Sequence, residues 1–265
     1  TGEYNTAFGV DALLYNQFAS NNTAIGAPSL SGLNVGTHNT AVGFLSLALN
    51  TSGNYNTAIG SRALYLNATG TNNTALGYQS LPANSSGNGN TSIGAQAMEQ
   101  KQTGAFNTAV GFLTLQQNTG GGFNTAIGYR AMQSNAFGVN NVAAGFGVMQ
   151  SNFSGSGNAG IGVEALFSNT TGSSNNAIGF RAMFRNTGGQ SNAAFGSSSL
   201  GANTTGDRNA GYGHATLASN TTGTLNTALG AETLGLNTTG FYNTATGAQS
   251  LFNNVTGIYN TAVGI

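Results

Sequence analysis

Twelve charged side chains and two imidazoles are the groups in this 265-residue sequence best suited to chemistry. The carboxylates are Glu3, Asp11, Glu99, Glu164, Asp207 and Glu232; the cations are Arg62, Lys101, Arg130, Arg181, Arg185 and Arg208. His38 and His214 are the imidazoles, and there is no cysteine. Two carboxylates about 5 to 10 Å apart would serve a glycosidase. A histidine beside a serine and a carboxylate would serve acyl transfer, and clustered histidines and acids would serve a metal. Which of these groups meet depends on the elements that carry them.

Those elements are set by a period. The phrase Asn-Thr-Ala-Ile-Gly stands at Asn22–Gly26, Asn56–Gly60 and Asn124–Gly128, and variants of it fill the chain. Its opening Asn recurs every 17 residues from Asn5 to Asn260, with no insertion or deletion. This makes fifteen complete repeats and a sixteenth that ends at Ile265, about fifteen and a half units across residues 1–265 with no internal boundary. A fixed period in this range predicts stacked repeat units before it predicts anything else. Thr1 and Gly2 already match positions 14 and 15, so the array is expected to begin upstream. Of 42 glycines, 31 fall at two repeat positions, so the glycine content is periodic structure and not disorder.

With the phrase's Asn as position 1, the grammar is strict. Position 1 is Asn and position 5 is Gly in all sixteen copies. Position 3 is Ala except at Ser92, Gly160 and Gly211, and position 4 is apolar except at Thr246, with Ala144 its smallest apolar occupant. Position 8 is small, position 9 is always Leu or Met, and position 12 is Asn except at Leu33 and Lys101. Position 15 is Gly in fifteen of sixteen copies. Glycine and β-branched threonine interrupt every candidate helix. The pattern predicts two short extended segments per repeat, at about positions 1–5 and 7–11. Turns fall at the position 5 glycine and at the Asn-x-Thr-Gly stretch near the end of the repeat. The fold class expected is all-β: a parallel β-solenoid, or β-roll, with 17-residue rungs about 4.8 Å apart.

Identical residues then lie above one another. The position 1 column of Asn5, Asn22, Asn39, Asn56, Asn73, Asn90, Asn107, Asn124 and their successors is expected to form a structural amide ladder. The Asn-x-Thr triplets at 67–69, 169–171 and 203–205 match a glycosylation acceptor, and turn chemistry accounts for them equally well. The residues at position 4 are expected to fill the rung. The Asn-Ala-Gly face is small and uncharged, which favours several chains packed side by side; the alternative is the tight interior of one flattened coil.

The frame also separates the reactive groups. Glu164 and Glu232 share position 7 but lie four rungs apart, roughly 19 Å, too far for a glycosidase pair. Glu164 and Arg181 are one rung apart and are expected to form an exposed ion pair. The two histidines sit ten rungs apart with no relay or ligand set around them. No catalytic, metal or cofactor residue emerges, and the chain is not expected to be an enzyme. Net charge is zero, so no nucleic-acid partner is expected. No apolar run approaches the roughly 20 residues of a membrane span, so no membrane contact by this segment is expected. Six charges fall at position 7, which marks an outer wall. The variable columns give the candidate surface contacts: Tyr55, Phe106, Phe123, Tyr129, Arg130, Arg181, Tyr242 and Tyr259.

The stretch Asn56-Thr57-Ala58-Ile59-Gly60-Ser61-Arg62-Ala63 resembles the head repeat of YadA-like trimeric autotransporter adhesins. Similar arrays occur in bacterial surface fibres and phage tail-fibre-like proteins. The resemblance covers all 265 residues and implies a left-handed, trimeric parallel β-roll. It departs from that family in its longer rung and in Thr at position 2. By resemblance the segment is a shaft or head of a surface fibre, extracellular, on a bacterial surface or virion. It would be a homotrimer facing a cell-surface protein or glycan. The competing reading is a monomeric ice-binding β-solenoid that uses the position 2 threonines, a column that lapses at Val142, Ala159, Asn176, Ala193 and Ala210.

Overall fold

The computed structural model describes residues 2–32 and 34–265; Thr1 and Leu33, counted above at positions 14 and 12, lie outside the described residues. The described chain is all-β and contains no helix. It divides into two compact units, Thr1–Phe137 and Gly138–Ile265. Each unit is a parallel β-solenoid with one 17-residue repeat per turn.

In both units the regular strand is positions 2 to 4 of the repeat. The first unit stacks eight such strands, from Thr6–Phe8 to Thr125–Ile127, and the second stacks eight from Val142–Ala144 to Thr261–Val263. Like residues pair with like: Thr40 lies opposite Thr57, Ala41 opposite Ala58, and Val42 opposite Ile59. In the second unit Ala193 lies opposite Ala210 and Phe195 opposite Tyr212. A slip of one residue would turn every side chain to the other face, and the unbroken period removes that freedom.

The second extended segment is corrected by the structure. Positions 5 to 10 form a run of turns, not a strand. Gly60 has φ 128°, Arg62 57° and Leu64 48°, so left-handed residues alternate along the curve. The backbone stays paired nonetheless. The Arg62 N–H donates to the Phe44 carbonyl of the preceding turn, and the Leu64 N–H donates to the Ser80 carbonyl of the following one. A left-handed leucine costs about 1–2 kcal/mol. Leu64 is fully buried, and burial of a leucine side chain contributes roughly 1.5–3 kcal/mol, enough to offset that cost.

A second sheet exists in three consecutive turns of the first unit: Leu49–Asn50, Leu66–Asn67 and Ala83–Asn84, at positions 11 and 12. Gln102 extends it through an isolated parallel bridge to Asn84.

The core is narrow and differs from the sequence expectation. Position 9 is fully buried from Leu30 to Leu234, and so is position 3 from Ala24 to Ala245. Position 4 is outside: Ala58 is 0% exposed while its neighbour Ile59 is 39% exposed. Strand alternation separates position 3 from positions 2 and 4. Position 3 thus contributes small side chains to the interior, and position 9 supplies its bulk. The small Asn-Ala face is therefore the interior of the coil in each unit.

Core exceptions compensate one another. A Cβ on Gly160 would lie 2.6 Å from Val148 Cγ1, so the largest position 8 residue faces a position 3 without a side chain. Ser80 at position 8 meets Ser92 at position 3, with Oγ atoms 2.8 Å apart.

Candidate interaction surface

Two amide ladders set the frame on which every surface column hangs. Along position 1, the backbone N–H of Asn56 donates to Asn39 Oδ1 at 2.9 Å, and Asn56 Nδ2 donates to the same oxygen at 3.1 Å. The column runs from Asn5, whose Oδ1 accepts the Asn22 N–H, through Asn39, Asn73, Asn90 and Asn107 to Asn124. Along position 12, Asn67 Nδ2 donates to Asn50 Oδ1 at 2.7 Å, and Asn84 Nδ2 to Asn67 Oδ1 at 2.7 Å. Asn67, Asn169 and Asn203 are 0% exposed, so the triplets at 67–69, 169–171 and 203–205 present no accessible amide for glycosylation.

Where position 12 is not Asn, the ladder is kept toward the following turn and lost toward the preceding one, where Asn34 Nδ2 and Gln102 Nε2 find no partner. Asn34 Oδ1 accepts from Asn50 Nδ2 at 2.8 Å, and Gln102 Oε1 accepts from Asn118 Nδ2 at 3.2 Å. Both residues stand at position 13, one step late. The sequence signal was present, since an amide directly follows Leu33 and Lys101.

The strand's outer face carries two regular columns. In the first unit, position 2 is threonine in eight successive strands, in register from Thr6 to Thr125. Beside it runs the apolar position 4 column, with Ile25 and Ile59 each 39% exposed, Leu76 43% and Ile127 47%. The second unit has exposed Ile161, Ile178, Tyr212 and Leu229 at the same repeat position. An apolar stripe of this extent is unusual on a monomeric surface and marks an interaction face. Sequence reasoning missed it because uniform apolar character at position 4 reads as core.

The aromatic columns are arranged differently. Phe106 stacks on Phe123 at 5.2 Å, Tyr242 on Tyr259 at 5.1 Å, and Tyr55 on His38 at 4.8 Å. Each stack joins adjacent turns, so ring faces cover one another and ring edges face solvent. Between stacked partners no face remains for a sugar ring. Tyr129 packs 5.9 Å from Phe112, and the Arg130 guanidinium lies 5.0 Å from the Tyr129 ring centroid.

Arg181 is the most constrained charge. Its guanidinium lies 5.1 Å from both the Phe180 and Phe184 rings, and its Nε donates to Glu164 Oε2 at 2.6 Å. This is the one ion pair among the described residues, and Arg181 remains half exposed. Such a pair contributes about 0–1 kcal/mol. The described residues contain no group of three or more His, Asp or Glu placed to hold a metal, and no helix long and apolar enough to cross a membrane. The structure brings together Arg181 with Glu164, Phe106 with Phe123, and Tyr242 with Tyr259. Among the described residues it joins no acid to either histidine through an ion pair.

No protein-family model matches the chain, and no curated protein sequence does.

Proposed function

We propose that this chain is a structural and adhesive fibre segment that assembles as a parallel homotrimer through the outer face of its position 2 to 4 strands. The observation that carries this reading is the set of exposed apolar side chains at position 4, among them Ile25, Ile59, Leu76 and Ile127 in the first unit and Ile161, Ile178 and Leu229 in the second. Like-with-like register supports it, because each turn then offers a partner the same contact at the same height. The likeness of Asn-Thr-Ala-Ile-Gly to YadA-like adhesin heads supports the trimer and an extracellular setting. In this reading the turns at positions 6, 7, 16 and 17 vary because they face outward, toward a host, prey or matrix ligand. The fibre binds and spaces; it does not catalyse.

Light scattering tests it. The expected mass is about 80 kDa, three times the chain's 26.5 kDa. A stable monomer would exclude assembly through this face.

The unbroken run of eight threonines in the first unit favours a second reading, an ice-binding surface on a monomer. Thr hydroxyls about 4.8 Å apart beside a methyl-rich column form a flat, regular array. Thermal hysteresis in a freezing assay, from a monomeric species, would establish it in place of the fibre. The two readings use one face and exclude each other.

A further inference from the structure

The second sheet of the first unit creates a feature that neither reading uses. Where Leu49–Asn50, Leu66–Asn67 and Ala83–Asn84 replace the usual turn, the return side of the coil opens into a groove of about 450 Å³. Leu49, Leu66 and Ala83 form its apolar line, with Ala68 and Ser85 along one side and Lys101 at one end. Leu49 and Leu66 are 45% and 43% exposed. A second depression, lined by Leu49, Gly32 and Tyr15, continues the line beyond the far end.

Lys101 is the only lysine in the chain, and a bulge places it there. Gln102, not Lys101, pairs with Asn84, so the strand gains one residue and the lysine is pushed outward at the groove's end. The bulge carries a penalty: Gln102 Nε2 is buried with no hydrogen-bond partner. An orphaned buried donor is destabilising, because it has given up its bonds to water and gained none in return. Bulges re-aim side chains, commonly beside functional sites. Lys101 has no internal counter-ion, since the one ion pair among the described residues is Arg181–Glu164. The nearest carboxylate in sequence, Glu99, is held by Gln96 and Gln116.

We propose that this groove binds a medium-chain alkyl carboxylate, with the chain along Leu49, Leu66 and Ala83 and the carboxylate at Lys101. Complementarity identifies the ligand: an uninterrupted apolar line wants hydrocarbon, and one unpaired cation at its end wants one terminal anion. Length follows from the fold. Leu49 to Lys101 spans three turns, about 14 Å. An extended chain advances about 1.2 Å per bond, so roughly twelve bonds fill the groove.

Calorimetric titration of the full chain with dodecanoate tests this. Saturable binding is expected, one ligand per chain, strongest near twelve carbons in a series from octanoate to hexadecanoate. Dodecanol should bind about five-fold more weakly, the effect of one exposed ion pair. Lys101→Gln should weaken dodecanoate by the same factor and leave dodecanol unchanged. Leu66→Ser should abolish both, with the circular dichroism spectrum and the mass of the natural chain retained. Absence of saturable binding overturns the proposal. So does a dodecanoate-to-dodecanol ratio unaffected by Lys101→Gln, and so does a Leu66→Ser chain whose assembly state changes, which would make the groove a contact between copies. If Leu66→Ser fails to fold, the surface substitution Lys101→Gln decides alone. Because the groove lies away from the outer strand face, the result is independent of the fibre reading.

Discussion

Asn56 and Asn67, eleven residues apart in sequence, converge on one atom: each Nδ2 donates to the Gly70 carbonyl at 2.9 Å. The two ladders are thereby tied together within the turn. The same convergence recurs at Gly206, whose carbonyl accepts from Asn192 at 2.8 Å and Asn203 at 3.0 Å. One glycine carbonyl at position 15 therefore joins the position 1 wall to the position 12 wall, and the turn closes without a disulfide or a metal.

Replacing one ladder amide should therefore be costly. Asn67→Ala removes both donated bonds and the oxygen that Asn84 uses. Each orphaned buried group costs about 1–3 kcal/mol. Asn67→Asp should be worse, because it also buries a charge with no cation beside it. Urea denaturation should show midpoints falling in the order natural, Ala, Asp.

Two adjacent glycines should respond in opposite directions. A Cβ on Gly189 would lie 2.5 Å from Asn186 Oδ1 and from the Gly206 carbonyl, while one on Gly188 meets nothing nearer than 3.6 Å. Neither needs a left-handed φ. Gly189→Ala should destabilise by roughly 1–3 kcal/mol through overpacking. Gly188→Ala should be neutral or stabilise by up to about 1 kcal/mol by restricting the unfolded chain. Thermal melts of the two single variants check this.

The Val148 and Gly160 pair should show coupling. Gly160→Ala alone forces its methyl against Val148 Cγ1 and should cost about 1–3 kcal/mol. In the presence of Val148→Ala the second change should cost much less. A double-mutant cycle should return an interaction energy of about 1 kcal/mol or more; additivity would mean the two turns do not share the space.

Charge on the outer face should control assembly without harming the coil. Ile25→Lys with Ile59→Lys replaces two side chains, each 39% exposed, outside the core. The expected result is a shift from about 80 kDa toward the 26.5 kDa chain mass, with an unchanged circular dichroism spectrum. An unchanged mass would place the assembly face elsewhere on the turn.

Much of the architecture is legible in sequence because stacking converts a period into columns. The recurrence of Asn at positions 1 and 12 is the ladder itself, seen from the side. Gly at position 5 announces its φ near 130°, as at Gly60 and Gly111. Gly at position 15 does not announce its reason: it is conformationally ordinary, and the lack of a Cβ beside the amides is what matters, as at Gly70, where a Cβ would meet Asn84 Nδ2. The shift of the ladder onto Asn34 and Gln102 was readable in principle, but a strict frame hides a residue that is one step late.

By itself, then, the sequence determined a parallel β-solenoid with one repeat per turn, because only in-register stacking makes a 17-residue period worth keeping. Alternation also separated Ala58 from Thr57 and Ile59. It did not say which side was inside. That was decided by the opposite wall, where left-handed backbone at Arg62 and Leu64 curls the chain and drives the leucine inward. With Leu64 filling the coil, the small Ala58 is core and the larger Ile59 faces outward. Local sequence carries the period of a strand, but the distance to the facing wall belongs to the folded turn, and that distance chose the face.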